Sequence, residues 1–181
     1  MDGSREVRLR SGDLVRVRPI HDSDAFELKR AFALMSEQSQ YRRFLTGTPR
    51  LTDSQATYFT AIDHVGHEAY VAHSPDDDTY IIGVARFIRY ASAPDDAELA
   101  ITVADTWHGR GLATALLRVL TARAIEVGVR RFRAEMMADN EVVLRLLRRA
   151  GMRDETVRGE MASGSIELVP VSYTHLTLPT N

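Results

Sequence analysis

The sequence predicts an α/β domain in which a mixed, mostly antiparallel sheet is flanked by helices. Three observations carry this. Segments such as "LVRVRPI" and "RRFRAEM" alternate apolar and charged residues with the period of a half-buried strand. Two apolar segments, "EAYVAHS" and "YIIGVARFIRY", flank "PDDD", which has the composition of a hairpin turn. Two longer segments carry apolar residues at helical spacing and run into Gly128 and Gly151, residues that stop a helix readily.

In chain order, Leu14 to Ile20 forms the first predicted strand, with Pro19 marking its end. "HDSDAFELKRAFALM" is a helix with Asp22 or Ser23 as N-cap and with Phe26, Leu28, Phe32 and Met35 near helical spacing. "LTDSQATYFTAI" is a shorter helix capped by Thr52 or Asp53 and carrying Tyr58, Phe59 and Ile62. The hairpin follows, and then "AELAITV". This strand places Leu99, Ile101 and Val103 on one face and Glu98, Ala100 and Thr102 on the other, with Asp95 and Asp96 in the turn before it. A helix from about Gly111 to Val127 buries Leu112, Leu116, Val119, Leu120 and Ile125. "RRFRAEM" is a strand with Phe132, Ala134 and Met136 on one side, and "DNEVVLRLLRRAG" is a short helix capped by Asn140 or Asp139. Final strands are expected around Arg153 to Val157 and Ile166 to Val169. The 181 residues contain no internal repeat and no linker, so residues 1–170 are read as one domain with one core.

Composition narrows the function. Lys+Arg 23 against Asp+Glu 25 gives a net charge of -2, which argues against a nucleic-acid footprint. Arginines still gather locally, as at Arg16 and Arg18, Arg42 and Arg43, or Arg130, Arg131 and Arg133, on solvated faces or at sites for phosphate and acidic partners. Cys 0 excludes disulfides and thiolate catalysis by the protein. No apolar run approaches the ~18 residues of a membrane span, and "MDGSREVRLRSG" lacks the apolar core of a signal peptide. The expectation is a cytoplasmic protein that binds neither membrane nor nucleic acid.

"VADTWHGRGLATALLRVL", Val103 to Leu120, holds the chemistry. Gly109 and Gly111 stand between a strand end and a helix start. The first N–H groups of a helix lack partners, the dipole is positive there, and glycine lets a phosphate reach the backbone. The stretch lacks the Lys-Ser/Thr of a P-loop and the dinucleotide G-x-G-x-x-G. The glycines therefore serve either a tight turn or an anion.

"WHGRGLATALL" resembles the acyl-CoA-binding motif [Q/R]-x-x-G-x-[G/A] of the GNAT family of N-acetyltransferases, with Gly111 and Ala113 in the glycine positions and His108 where Gln or Arg is usual. "NEVVLRLLRRAGM" is similar to that family's second signature, with Met152 in place of an aromatic. "VRVRPIHDSDAFELKRAFALMSEQSQYRRFL" is similar to the opening of bacterial protein-lysine acetyltransferase domains, its second block standing as Ser36, Ser39, Tyr41, Arg43 and Phe44. The resemblance covers Leu14 to Val169. It implies a GNAT-like fold, acetyl-CoA as acyl donor and an amine acceptor, either a small molecule or a protein lysine. It implies that His108, Gly109, Arg110, Gly111, Leu112, Ala113 and Thr114 surround the pyrophosphate. Ile101 and Val103 would pair with the pantetheine arm as a neighbouring strand does, and Asn140 would contact that arm besides capping its helix.

An amine with pKa ~10.4 is mostly protonated at neutral pH, so transfer benefits from a base. Glu98 is the candidate, because the protein-acetylating relatives carry a catalytic glutamate at the matching place; the alternative is a strand carboxylate paired with an arginine. Many relatives use a Tyr seven residues after the Asn as general acid, and here Leu147 stands there, leaving Tyr41 and Tyr70 as other candidates. A non-catalytic acyl-CoA sensor is the alternative of a different class. "DHVGHE" spaces His64 and His67 three apart, but no further His or Cys cluster completes a metal site, and no metal is expected. Trp107, the only Trp, is expected to pack at the loop.

"VSYTHLTLPTN" shifts abruptly to Thr and Leu. Val171 to Leu176 match a frame translation of the transposase adapter DNA used for sequencing libraries, so residues 171–181 are expected to be a non-native tail.

Overall fold

The computed structural model describes residues 3–44 and 50–169, the side chains of residues 43 and 44 excepted. The proposed tail lies outside the described residues. The strands are β1 (Arg5–Arg8), β2 (Leu14–Pro19), β3 (His67–Ser74), β4 (Asp77–Tyr90), β5 (Ala93–Val103), β6 (Arg131–Met137), β7 (Arg153–Arg158) and β8 (Met161–Glu167). The helices are α1 (Ala25–Ala33), α2 (Glu37–Phe44), α3 (Asp53–Thr60), α4 (Leu112–Glu126) and α5 (Glu141–Arg149). The strands form one eight-stranded sheet in the order β1-β2-β3-β4-β5-β6-β8-β7. Every pair is antiparallel except β5 with β6, which α4 joins as a crossover. The predicted mixed, mostly antiparallel sheet is thus present. Among the described residues no helix is long and apolar enough to cross a membrane.

Strand alternation divides the apolar residues between two cores. Phe87, Leu99, Phe132 and Met136 face α4 and α5 and pack with Leu116, Leu120, Leu144 and Leu147. Ile20, Val71, Ile81 and Val84 face the other way, against Leu28, Phe32 and Ala56 of α1 and α3. The helix α4 lies close on the sheet because β4 carries Gly83 beneath it. A Cβ there would come within 2.9 Å of Leu116 Cδ1 and 3.1 Å of Leu112 Cδ2. That close approach puts the start of α4 beside Val103, the register partner of Gly83.

Local chemistry explains most differences from the predicted boundaries. A 3-10 turn takes Asp22–Asp24, so α1 begins after Asp24, beyond both proposed caps. The Asp24 carboxylate is committed elsewhere: it accepts Arg18 Nη1 at 2.7 Å, Arg18 Nη2 at 2.8 Å and the His21 N–H at 2.8 Å. Thr52 does cap α3, with a reciprocal Gln55 contact. Asn140, not Asp139, caps α5, its Oδ1 accepting the Val143 N–H at 3.4 Å. The hairpin turn is narrower than "PDDD", since β4 already begins at Asp77. The last strand lies at Met161–Glu167, earlier than Ile166 to Val169, and the short β1 and α2 are additional to the predicted elements.

Asp95 and Asp96 are not turn residues, because β5 starts at Ala93. Asp96 is 6% exposed and shares a sheet face with Glu98.

Candidate active site

β5 and β6 pair over three positions only, Asp96, Ala97 and Glu98 against Arg131, Phe132 and Arg133. β5 then continues to Val103 and β6 to Met137 without a ladder between them. The two strands therefore part at Glu98. Between them, along Leu99–Val103, β5 offers a backbone edge of the kind an extended ligand can join. Ile101 and Val103 turn their half-buried side chains toward the α4 core, so it is their backbone that borders the opening.

The loop after β5 is held by its own side chains. His108 Nε2 lies 2.9 Å from the Val103 carbonyl, which braces the turn back onto the strand end. Arg110 stacks its guanidinium 4.7 Å from the Trp107 ring centroid, and its carbonyl accepts the Ser11 N–H at 3.3 Å. From the β1–β2 turn, Arg10 Nη2 donates to the Gly109 carbonyl at 3.3 Å. Trp107 packs against the α4-side core, as expected of a loop anchor.

Both loop glycines have positive φ, 75° at Gly109 and 94° at Gly111, which disfavours any side chain there. They differ in what surrounds them. A Cβ on Gly109 would meet nothing within 4 Å, whereas one on Gly111 would meet Arg10 Cβ at 3.1 Å and Arg10 N at 3.2 Å. The expectation that glycine makes room for a ligand therefore applies to Gly109; at Gly111 the room is taken by Arg10. The first described backbone bond into α4 runs from the Ala115 N–H to the Gly111 carbonyl at 3.1 Å. The N–H groups of Leu112, Ala113 and Thr114 precede it and have no intrahelical acceptor. Free amides, a positive helix end, Arg10 and Arg110 together suit a pyrophosphate.

A side of the site that the sequence did not disclose is α2. Asp105, just past β5, accepts the Ser36 N–H at 2.7 Å, Ser36 Oγ at 3.2 Å and Ser39 Oγ at 2.5 Å. Burial opposes ionisation of Asp105, but the Ser39 and Ser36 donors outweigh it and hold the carboxyl below its usual value. At the other end of α2, Arg42 Nη2 lies 3.4 Å from Asp139, beyond β6. The helix thus spans the opening from the β5 lip to the β6 lip. The paired serines of the family block are a clamp whose partner lies 69 residues beyond Ser36 and 66 beyond Ser39.

Glu98 stands at the vertex, exposed, on the face away from α4. Its register partner is Arg133, an arginine that could serve as the partner in the alternative reading. Arg133 is instead committed to Asp96, through Nε at 2.7 Å and a second, shorter contact from Nη2. Among the described side chains, Glu98 makes no hydrogen bond or ion pair. Tyr90 lies in the same corner, with Arg133 5.6 Å from its ring centroid. Burial, then the negative charge of Glu98, raises the Tyr90 phenol above its usual value, so it remains a proton donor at neutral pH.

The position where relatives carry a Tyr acid, and the two other tyrosines, fare differently. Leu147 is a 2% exposed core residue. Tyr70 is buried on the α4 face near Arg5, away from Glu98. Tyr41 is exposed on α2. The two histidines of "DHVGHE" diverge: His64 Nδ1 is 2.8 Å from buried Glu68, and His67 Nε2 is 3.1 Å from Arg86 Nη1. Among the described residues, no group of three or more His, Asp or Glu is arranged to hold a metal ion.

Comparison with known proteins agrees with this architecture. The family model described as an acetyltransferase (GNAT) domain matches residues 15–153. Acetyltransferase Pat of Mycolicibacterium smegmatis is 30% identical over 149 residues, covering 80% of this chain and 43% of that protein. The crystal structure of the GNAT domain of S. lividans PAT superposes with TM-score 0.84 at 32% identity, covering 91% of this chain and 97% of that one. A cAMP-binding acyltransferase from Mycobacterium smegmatis gives TM-score 0.68 at 27% identity, covering 98% of this chain and 50% of that one. The chain thus spans about half the length of the two mycobacterial proteins. With a parted β5–β6 pair, a glycine loop opening α4 and a family match over most of its length, this chain belongs to the GNAT family of acetyltransferases.

Proposed function

We propose that this chain transfers an acetyl group from acetyl-CoA to a primary amine, a protein lysine, with Glu98 taking the amine proton. The observation that carries the proposal is the Glu98 carboxylate, unpaired among the described side chains, at the point where β5 and β6 separate. Acetyl-CoA supplies the activated thioester carbonyl. The amides from Gly109 to Thr114, with His108 bracing the turn and Arg10 and Arg110 beside it, hold the pyrophosphate. The backbone of Ile101 to Val103 aligns the pantetheine arm, and Asn140 borders it from the β6 side. Glu98, unpaired among the described side chains, accepts the proton from the approaching amine, directly or through a water. The departing thiolate takes its proton from Tyr90, a reading supported by the protonated phenol in the Glu98 corner.

The acceptor reading rests on the surroundings of Glu98. Its neighbours Arg133 and Glu135 are exposed, so the carboxylate looks onto an open sheet face that can receive a side chain presented by another protein. One observation favours a small amine instead. Farther along the same face, Ala100 and Thr102 line an apolar pocket with Leu28, Phe32, Phe59 and Val84.

Incubation with acetyl-CoA and a panel of proteins, peptides and small amines, read by thiol release, decides among these. Release with lysine-containing proteins or peptides is expected. Turnover of small amines alone would move the acceptor to the pocket, and tight acetyl-CoA binding without any release would make the chain a sensor.

A further inference from the structure

We infer that Asp96 is a positioning residue for Glu98: by collecting both arginines that β6 presents to this face, it leaves the Glu98 carboxylate without a cation from β6. The inference rests on the reading of Glu98 as the base.

The register would allow a different arrangement. β5 presents Asp96 and Glu98 on one face, and β6 places Arg131 opposite Asp96 and Arg133 opposite Glu98. Two cross-strand ion pairs would be the simple outcome. Both arginines instead reach Asp96. Arg133 contacts Asp96 Oδ2 through Nε and Nη2, and Arg131 Nη1 lies 3.6 Å from Asp96 Oδ1. Arg131 is held from its other side by Glu167, at 2.5 Å from Nε, and Arg133 lies over the Tyr90 ring.

Burial explains the sorting. The Asp96 side chain is 8% exposed, while Glu98 is exposed. An uncompensated charge costs far more in the drier position, so the cations go there. Among the described residues, the remaining charged or titratable groups around Glu98 do not replace them. Tyr90 on β4 and Glu135 on β6 bring no positive charge. Arg86 on β4 donates to the Phe59 carbonyl and faces His67, and Arg42 of α2 pairs with Asp139.

The consequence is chemical. A carboxylate paired with a guanidinium is a weaker proton acceptor than an unpaired one, because the cation favours its charged form. Asp96 would thereby maintain the basicity of Glu98 without touching substrate.

The test is Asp96→Asn, which keeps size and removes the charge that holds the arginines. The Glu98 carboxyl carbon is followed by NMR, assigned with Glu98→Gln, beside the pH profile of kcat/KM and the acetyl-CoA Kd. In Asp96→Asn, Arg133 should turn to Glu98. The carboxyl titration and the acid limb of the profile should then move to lower pH by about half to one pH unit, with acetyl-CoA affinity unchanged. Adding Arg133→Met to that chain should return both to their parent positions. An Asp96→Asn chain with an unmoved Glu98 titration, or a shift that the double substitution does not reverse, would overturn the inference. Arg133→Met in the parent chain is a second test that leaves Asp96 in place. It should move the Glu98 titration by no more than about 0.3 pH unit, and a rise of a full unit would show that Arg133 was the partner of Glu98. Parent-like turnover in Glu98→Gln would sink the base reading alone, while the NMR titration still decides where the arginines go.

Discussion

The loop that opens α4 and the corner where β5 meets β6 lie at two points along the same strand but work by different means. At the loop the groups that would meet a ligand are mainly backbone amides, and the side chains, the charged Arg10 and Arg110 included, also brace the turn: His108 on the Val103 carbonyl, Arg10 on the Gly109 carbonyl, Arg110 on Trp107. At the corner one carboxylate is offered, and Asp96 and Arg133 are committed to each other. A site made mainly of backbone should tolerate exchange of a side chain, such as His108 where Gln or Arg is usual. A site made of one carboxylate has no such tolerance. The loop should therefore fail through changes in backbone shape and the corner through changes in a single functional group.

Within the loop, the largest loss of stability is expected from Gly111→Val. A branched residue at φ 94° with Arg10 Cβ 3.1 Å away should cost about 2–4 kcal/mol, read by denaturant unfolding. Gly109→Ala shares the unfavourable φ, at about 1–2 kcal/mol, but meets no neighbour. Its methyl should intrude on the phosphate instead, weakening acetyl-CoA by about tenfold or more while acetyl-pantetheine, which lacks the pyrophosphate, is unaffected. Equal weakening of both ligands would remove the pyrophosphate from the loop.

Asp105→Ala sharpens the comparison from the side of α2. It leaves Ser36 and Ser39 without their acceptor and should cost about 1–3 kcal/mol while raising the acceptor KM more than the acetyl-CoA KM. The Asp105 carboxyl is depressed on folding. Its contribution is thus complete above the unfolded value of about 3.9 and is lost as pH falls through the lower folded value. An unchanged acid-unfolding midpoint in Asp105→Ala would show that the clamp contributes nothing.

A smaller effect is expected at His67, outside both regions. Burial, then the Arg86 charge, pushes its imidazole down to about 4. The unfolded chain takes up the proton near 6.5, so stability from the neutral ring is full above that value and declines as pH falls toward 4. The thermal midpoint should therefore fall between pH 7 and pH 4.5 more in the parent than in His67→Gln; equal falls would place the sensitivity elsewhere. The smallest effect concerns residues 171–181, which we propose are foreign to the domain. A chain ending at Pro170 should keep its thermal midpoint within about 2 °C, and a clear loss would make the segment native.

Much of this arrangement is legible in the sequence because it is local. The alternation in "RRFRAEM" gives a strand whose Phe132, Ala134 and Met136 are all buried, and Gly128 and Gly151 do stand at positive φ after α4 and α5. What escapes is long-range pairing. Nothing near Ser36 and Ser39 points to Asp105, and only the pairing of Arg133 with Asp96 removes Arg133 as a partner of Glu98. Asp96 itself reads as a turn residue beside Pro94 and Asp95, because strand propensity is weak for aspartate and only the pairing with β6 draws it into the sheet. The spacing of Asp96 to Glu98 and of Arg131 to Arg133, two residues in each case, is the one local trace of that pairing.

The central claim is that Glu98 takes the amine proton. It is tested most directly by kcat across pH for the parent and Glu98→Gln with the acceptor that the panel identifies, alongside the acetyl-CoA Kd. Glutamine keeps size and hydrogen bonding but not basicity, so at pH 7 kcat should fall by roughly 10²–10⁴-fold, about 3–5 kcal/mol of barrier, with Kd nearly unchanged. The gap should narrow as pH approaches the amine pKa of ~10.4, where the acceptor loses its proton unaided. Parent-like turnover of Glu98→Gln at pH 7, or a deficit that stays constant up to that pH, would contradict the assignment.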